Sequence, residues 1–590
     1  MTASQEQIIK LRSLGETCFR AGDYVNARKN LETAVALGCN ESAVVSSLGY
    51  TCYLVGDYKA ALKHCELAKE INPLFIDNYT NLALSLYGLK RYHQALIVID
   101  EGLEIDPKAA DLWVNRGLTY MALNRPIDAQ YAYRSALSIA PENLSALTNF
   151  AMALQDTGLA ERASEYYRRA LRIDPSFRHA LSNSLMCAQY NPELASAEIL
   201  ALTTNVAGQY AAKVQSYSDA KKQVKRDGDK YTLGLYSPDL RAHPVGWFVR
   251  DVLKVLAERF NIVVYSFSVT QDGVTEELKL STAQWHTCVG WSPLQIVEQS
   301  ARDGIDLAID LAGHTAGGAM SAFAHRVAPK QVSWLGFPAS TGLANSDGTL
   351  LSDDLCTEAT LSFFAEPVLA YGGPQFVYTP PHYIPDVAQA PHLKNGFITF
   401  GCFNNLAKLN DNVVATWATI MQRMPESRLL LKWKSLADPQ VKDAVLKRFF
   451  ACGVAQQRIE LRGASEHTQM FREYGDIDIA LDPFPFSGAL TSFEAVWMGV
   501  PAVTLAGFRP MSRQTMSINK ALGLEQLTAD TPLEYANAAV SLAQNSGRLS
   551  ELRSSMRDRL ISSPLSDARA MADAIGEQFE LVLIKGVKAL

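Results

Sequence analysis

Five short stretches in the second half of the chain have the composition of an anion cradle. They are SPDLRAHPVG (237–246), GHTAGG (313–318), GFPASTG (336–342), CFNNLAKLND (402–411) and PFPFSGALTSFEA (483–495). Each follows an apolar run and is rich in small or polar residues. Small residues ahead of a helix let backbone N–H groups face an anion, and the helix dipole favours the negative charge. One such loop is a weak signal, but five together imply a phosphorylated ligand. A second chemistry-bearing pattern lies in the first third. Asn81, Asn115, Asn149 and Asn183 are separated by 34 residues each, while Ser13 and Ser47 hold the same place earlier. An amide side chain both donates and accepts, so a row of them can pair with a peptide backbone whatever its side chains. The same row can instead cap or bridge structural repeats. We read it as a binding surface for an extended polypeptide, confined to the later repeats.

The elements that position these residues follow from periodicity. Gly15, Gly49, Ala83, Gly117 and Ala151 also recur every 34 residues. Alanine stands twelve positions later at 27, 61, 95, 129 and 163, and a small residue nineteen later at Ala34, Ala68, Gly102, Ala136 and Ala170. Pro73, Pro107, Pro141 and Pro175 close four of the units. Small side chains let two helices approach, and proline stops the second helix. A 34-residue period of this kind resembles the tetratricopeptide repeat, two antiparallel helices per unit. Five repeats and a partial sixth, acting as the end cap, are expected over 8–190. A helical connector should follow over 191–230 and end in a polar, basic loop at 216–230. Its Lys221, Lys222, Lys225 and Arg226 read as a solvated charge run.

Beyond it, β-branched runs alternate with helical patterns: TLGLYS (232–237), IVVYSFS (262–268), DLAIDLAG (306–313), QVSWLG (331–336), FITFGCFN (397–404), RLLLKWK (428–434), DIALD (478–482) and AVTLAG (502–507). Such alternation predicts parallel sheets covered by helices. The proline-rich stretch 366–396 reads as a hinge, giving one lobe over 231–380 and another over 396–590. Ligands of such sheets sit outside the carboxyl ends of the strands, where the five loops lie. A helix over 566–584 should pack back on the structure.

Composition narrows the classes. A chain of 590 residues allows several domains at ~100–200 residues each. With 48% hydrophobic residues, 20% charged residues and a net charge of −6, disorder and general nucleic-acid binding are excluded as main properties. The nine cysteines are scattered without a CxxC pair, so reduced, mostly buried thiols are expected rather than zinc or disulfides. The N-terminus lacks a secretory pattern, and no run of ~18 apolar residues suits a membrane span. A cytoplasmic location is expected. Oligomeric state is not legible.

The motifs SPDLRAHPVG, DLAGHTAGG, RVAPKQVSWLGFPASTGL, FGCFNNLAKL, DIDIALDPFPFSGALTSFEAVWMGVPAVTLAG and RLISSPLSD, following the repeats, resemble bacterial members of glycosyltransferase family 41, the O-GlcNAc transferase family. The resemblance spans nearly the whole chain. It implies a tetratricopeptide superhelix followed by a GT-B fold, two facing Rossmann-like lobes. It also implies inverting, metal-independent transfer of a sugar from UDP-GlcNAc to Ser or Thr of a protein acceptor, with no cofactor beyond the nucleotide sugar. By the same resemblance, His243 lies near acceptor and sugar and is the candidate for handling the proton. Lys408 binds the donor diphosphate, His467 stacks on the base, Glu494 holds the ribose hydroxyls, and Thr491 and Ser492 contact the diphosphate. His314 belongs to a loop facing the same cleft and joins the donor-binding set. His64, His93, His179 and His392 carry no motif and read as surface or packing residues.

The chain departs from the family pattern at Ala489, Phe493, Gly348 and Gln514. Two of these, Ala489 and Phe493, fall at the expected diphosphate and ribose contacts. Relatives of this architecture include flagellin glycosyltransferases using a nonulosonic acid from a CMP donor, so flagellin is a candidate acceptor and a CMP donor an alternative. A tetratricopeptide adaptor with an inactive transferase half is a third reading. Retention of His243, Lys408, His467 and Glu494 speaks against it.

Overall fold

The computed structural model of the chain describes residues 3–212, 214 and 230–585. Six antiparallel helix pairs come first: Ala3–Arg20 with Tyr24–Ala36, Ser42–Leu54 with Tyr58–Ile71, Ile76–Gly88 with Tyr92–Ile105, Ala110–Ala122 with Pro126–Ile139, Leu144–Gln155 with Ala160–Ile173, and Arg178–Tyr190 with Ser196–Ala211. The small residues of the 34-residue period explain the pairing. Ala27, Ala61, Ala95, Ala129 and Ala163 are all fully buried. A methyl group on Gly15 would lie 2.8 Å from the Leu31 side chain, and one on Gly117 would collide with the Tyr133 ring. The second helices begin on repeated caps, Asp23 accepting from Asn26 N and Asp57 from Ala60 N.

The sixth pair is where array and lobe fuse. Leu181, Leu185, Val206, Ala207 and Tyr210 share one core with Phe323, Phe337 and Leu343 of the next domain. The segment expected as a connector is therefore, over Ser196–Ala211, a packed helix whose apolar face belongs to the lobe. The expected loop at 216–230, with its four basic residues, lies outside the described residues apart from Lys230.

Two parallel sheets follow. The first comprises β1 (Thr232–Ser237), β2 (Asn261–Ser266), β3 (Gln284–Thr287), β4 (Leu307–Asp310), β5 (Lys330–Ser333), β6 (Gly348–Ser352) and β7 (Val368–Tyr371), in spatial order β3-β2-β1-β4-β5-β6-β7. The second comprises β8 (Thr399–Cys402), β9 (Arg428–Lys432), β10 (Ile459–Arg462), β11 (Ile479–Leu481), β12 (Ala502–Leu505) and β13 (Thr528–Ala529), in order β10-β9-β8-β11-β12-β13. Both sheets repeat the 3-2-1-4-5-6 winding of a dinucleotide-binding fold, with a reversal of strand order between β1 and β4 and between β8 and β11. Strand β7 lies inside the stretch expected as a hinge. Four apolar or aromatic residues pair it with β6, but the prolines and glycines that follow hid it.

The lobes are tied twice. Helix Ala568–Lys585 returns to the first lobe and packs on helix Pro244–Arg259, through Arg259–Glu580 at 2.8 Å, Arg569–Glu258 at 2.7 Å and an edge contact between Phe260 and Phe579. This is the partner of the C-terminal helix that sequence alone left open. Phe248 of the same helix packs on Phe376 and on Phe493 of the second lobe. None of the nine cysteines is in a disulfide, and six are buried. Among the described residues, no helix is long and apolar enough to cross a membrane.

Candidate active site

The reversals of strand order collect most of the candidate residues. His243 follows β1 and His314 follows β4. Lys408 follows β8, and Thr491, Ser492 and Glu494 follow β11. His467 follows β10, the outer strand of the same sheet.

The Lys408 pocket is built locally. Asn405 Oδ1 accepts Ala407 N at 3.0 Å and winds Leu406–Lys408 into a single tight turn. Lys408 Nζ then donates to Asn404 Oδ1 at 3.0 Å and to Ser487 O at 2.8 Å, with the Phe486 ring centroid 4.5 Å away. An ammonium has three donors, so these two bonds leave one for a ligand. Burial lowers its pKa to about 8, with the Asp482 carboxylate opposing the shift. Asn404 Oδ1 also accepts Thr491 Oγ1 at 3.1 Å, which joins lysine and helix start through one side chain. Helix Leu490–Trp497 begins at Ala489, whose side chain cannot cap. Its first amides are the orphan donors of an uncapped helix, beside a cation.

Glu494, one turn into that helix, is buried and its Oε1 lies 3.1 Å from His467 Nε2. A carboxylate only accepts, so the ring carries its proton on Nε2 and its Nδ1 accepts the Tyr383 hydroxyl at 2.8 Å. Burial raises the Glu494 pKa, and His467 opposes the rise. The Trp247 ring of the first lobe lies 6.3 Å from His467 and brings the lobes together here.

His243 sits one turn before Trp247 and caps its own helix, Nδ1 accepting Val245 N at 3.4 Å. Asp239 Oδ1 is 3.7 Å from the same nitrogen. Burial lowers the His243 pKa, with Asp239 opposing, so the neutral ring presents an Nε2–H.

Three expected contacts are placed differently. Ser492 is buried and its hydroxyl shares a hydrogen bond with Thr515 Oγ1 at 2.8 Å. Helical rotation of about 100° per residue carries it off the line of Thr491. Phe493 turns further, into the core between the lobes against Phe248 and Tyr378, and so does not meet the ribose position. His314 is 1% exposed, with Nε2 bonded to Thr341 O at 2.8 Å and its ring between Tyr210 and Phe337. It braces the joint between array and lobe. Of the other departures, Gly348 opens β6, where a side chain would press on Leu369. Gln514 is buried and donates to Met511 O.

The asparagine row has both characters. Asn81 Nδ2 donates to Ser46 Oγ at 2.9 Å and Asn115 Nδ2 to Thr80 O at 3.0 Å, each reaching the preceding repeat. These two amides bridge repeats. Asn81, Asn115 and Asn149 nonetheless line a groove of about 850 Å³ on the array. Asn149 and Asn183 line a second cavity of about 390 Å³, whose far wall is the loop from Gly313 to Ser321. Thr148, Asn149 and His179 belong to both, so the groove runs into the first lobe.

Sequence reasoning missed several supports. Asn404 was visible in NNLAK but has no meaning until Lys408 and Thr491 both reach it. Asp482, in LDPFPF, accepts Gly488 N at 2.6 Å and Thr504 Oγ1 at 2.7 Å and so shapes the loop. Buried Arg509 donates to the carbonyls of Ala188, Gln189, Asn191 and Leu194, and Tyr190 stacks on Phe486 at 5.3 Å. The end of the array thus touches the ring beneath Lys408. Away from the cleft, ligand atoms of Glu32, Cys52 and His64 lie within 4.8 Å of one another, with Glu32 already paired to Arg28.

Comparison with known proteins agrees with this architecture. Residues 76–108, 110–143 and 144–177 match the tetratricopeptide repeat, and residues 209–379 and 379–575 match glycosyl transferase family 41. The solved structure of an O-GlcNAc transferase mutant from Thermobaculum terrenum aligns with a TM-score of 0.79 at 27% identity, over 92% of this chain and 97% of that one. A probable UDP-N-acetylglucosamine–peptide N-acetylglucosaminyltransferase SPINDLY from Petunia hybrida is 33% identical over 342 residues, covering 57% of this chain and 37% of its own length. The corresponding SEC protein of Arabidopsis thaliana is 27% identical over 360 residues, covering 58% of this chain and 36% of its own length. The chain thus spans little more than a third of these curated relatives. With the family model matched from residue 209 to residue 575, the chain belongs to glycosyl transferase family 41.

Proposed function

We propose that the chain is a protein O-glycosyltransferase that moves GlcNAc from UDP-GlcNAc to Ser or Thr of a protein lying in the array groove. The observation that carries this reading is the joining of a half-buried lysine to an uncapped helix start through Asn404. Sugar transfer leaves a diphosphate on which charge develops. An ammonium and orphan amides placed in advance stabilise that charge without a metal. In this reading Lys408 and Thr491 receive the diphosphate, Glu494 accepts the ribose hydroxyls, and His467, oriented by Glu494 and Tyr383, offers its ring to the base. Ser492 secures the helix start through Thr515. His314 holds the loop that walls the acceptor cavity. His243 donates from Nε2 to an oxygen of sugar or acceptor, and the acceptor proton passes late to an oxygen of the departing diphosphate, once the new bond to the sugar has made the hydroxyl acidic.

Printed names of relatives, which specify UDP-N-acetylglucosamine and a peptide acceptor, support this donor. Of the departures that raised a CMP donor, Phe493 packs in the core between the lobes and Gly348 lies against Leu369. The test is incubation of the full chain with UDP-GlcNAc or a CMP-nonulosonate and a library of Ser/Thr peptides, read by intact mass. An added N-acetylhexosamine from UDP-GlcNAc is expected. Transfer only from the CMP donor, or from neither, would overturn the proposal.

A further inference from the structure

The opposite edge of the second sheet carries another constellation. Asp478 immediately precedes β11, at the amino ends of the strands, and is buried. Its Oδ2 accepts Thr399 N at 2.9 Å, and its Oδ1 accepts both the backbone N of His392 at 3.1 Å and the ring Nδ1 at 2.7 Å. Because a carboxylate only accepts, the Nδ1 position holds the ring proton and Nε2 presents a lone pair. That lone pair faces Ser546 Oγ at 2.9 Å, so the hydroxyl donates to it.

Ser546 is exposed and is the first residue of helix Ser546–Ile561. Asn545 caps the helix on Arg548 N. The amides of Ser546 and Gly547 are first-turn donors that the helix itself cannot satisfy. The space in front of Gly547 is open, with only Asn545 Oδ1, at 3.8 Å, near a methyl placed there. The three side chains come from three separate elements, 86 and 154 positions apart in sequence from His392.

We propose that Ser546, His392 and Asp478 form a nucleophile–base–orienter triad that cleaves small activated acyl esters, at a site separate from the sugar-transfer cleft. Ser546 Oγ attacks the ester carbonyl while His392 Nε2 takes its proton. The carbonyl electron pair rests on an oxygen facing the first-turn amides. Collapse breaks the bond to the alcohol, which leaves with the proton held by His392, and the serine is acylated. Water, deprotonated by the same nitrogen, then releases the acid and restores the serine. Among the described residues, the open surround offers no pocket to hold an acyl chain, so the ester must be activated by its own leaving group, and a small one suffices.

The test uses the full chain with p-nitrophenyl acetate and, separately, a fluorophosphonate. With the latter, Ser546 Oγ bonds phosphorus, fluoride leaves, and the proton passes to His392. Free imidazole also cleaves activated esters, so the serine adduct, mapped by peptide mass, is the deciding readout. We expect phosphonylation of Ser546, its absence in Ser546→Ala, and labelling slowed by ~100-fold in His392→Gln. Release of p-nitrophenolate should fall in both variants, while UDP binding stays at the parent value. His392→Gln also guards against misfolding, since Asp478 keeps its backbone partners there. A parent chain left unlabelled at Ser546, or labelled equally fast in His392→Gln, would overturn the triad.

Discussion

The array and the Lys408 pocket are built in opposite ways. The array repeats one solution: the same amide every 34 residues, two of the four bridging to the repeat before. Each contact resembles its neighbours, so none is decisive. The pocket instead gathers unlike groups from positions 404, 408, 467, 487, 491 and 494, each with its own partner. Among those six positions Lys408 is the one lysine and Glu494 the one carboxylate. Under the proposed function, redundant contacts would give breadth of acceptor and singular ones the chemistry. Substitutions should therefore be graded by region.

The largest effect is expected from Lys408→Ala. Losing a positioned group that stabilises transition-state charge costs about 3–4 kcal/mol, or ~10²–10³-fold in kcat. The thermal midpoint should hold, because removing a desolvated charge relieves a burial cost. Steady-state kinetics on UDP-GlcNAc with a peptide acceptor checks this, and near-parent turnover would erase the contrast between regions. Next comes Glu494→Ala. Hydrogen bonds to a charged group are worth ~1.5–3 kcal/mol, so the donor KM should rise roughly 10–100-fold, and His467 loses its orienting partner. A KM change confined to the acceptor would misassign Glu494.

The third prediction concerns pH. Lys408 ionises at about 8 in the free protein, and only its ammonium form attracts a diphosphate. Donor affinity should therefore be full below that value and fall by ~10-fold per unit above it, by linkage to one proton. Affinity measured across this range in the parent, with Lys408→Ala as the flat reference, tests the sign. The smallest effect belongs to the array. Asn149→Ala removes a contact worth ~1 kcal/mol at most, a few-fold in the KM of a protein acceptor. Removing Asn115, Asn149 and Asn183 together should compound this for proteins more than for short peptides, and an equal loss on both would dissolve the ladder.

The same contrast decides what the sequence made legible. The repeats were readable because their information is local: small residues at fixed offsets become buried close approaches, as at Gly15 against Leu31. Strands such as β1 and β9 were readable from short apolar runs. β7 was not, since its four residues precede a Gly- and Pro-rich segment that dominates local pattern. Within the site, residue identity was legible and orientation was not. Ser492, Phe493 and Glu494 are consecutive, yet one bonds Thr515, one fills the core between the lobes and one pairs with His467. Only tertiary packing distinguishes them. His392 gave no local signal because its partners, Asp478 and Ser546, are brought to it by the sheet and by a late helix.

The central claim is that Lys408 and the helix start at Thr491 form a diphosphate site requiring no metal. Calorimetric titration of UDP into the full chain in the presence of EDTA, repeated with Lys408→Ala and with CMP, tests it most directly. UDP should bind the parent, bind the variant ~30-fold or more weakly, in line with ~2 kcal/mol for a charged hydrogen bond, and outcompete CMP. Equal UDP affinity in parent and variant, or binding that appears only after a divalent metal is added, would contradict the account.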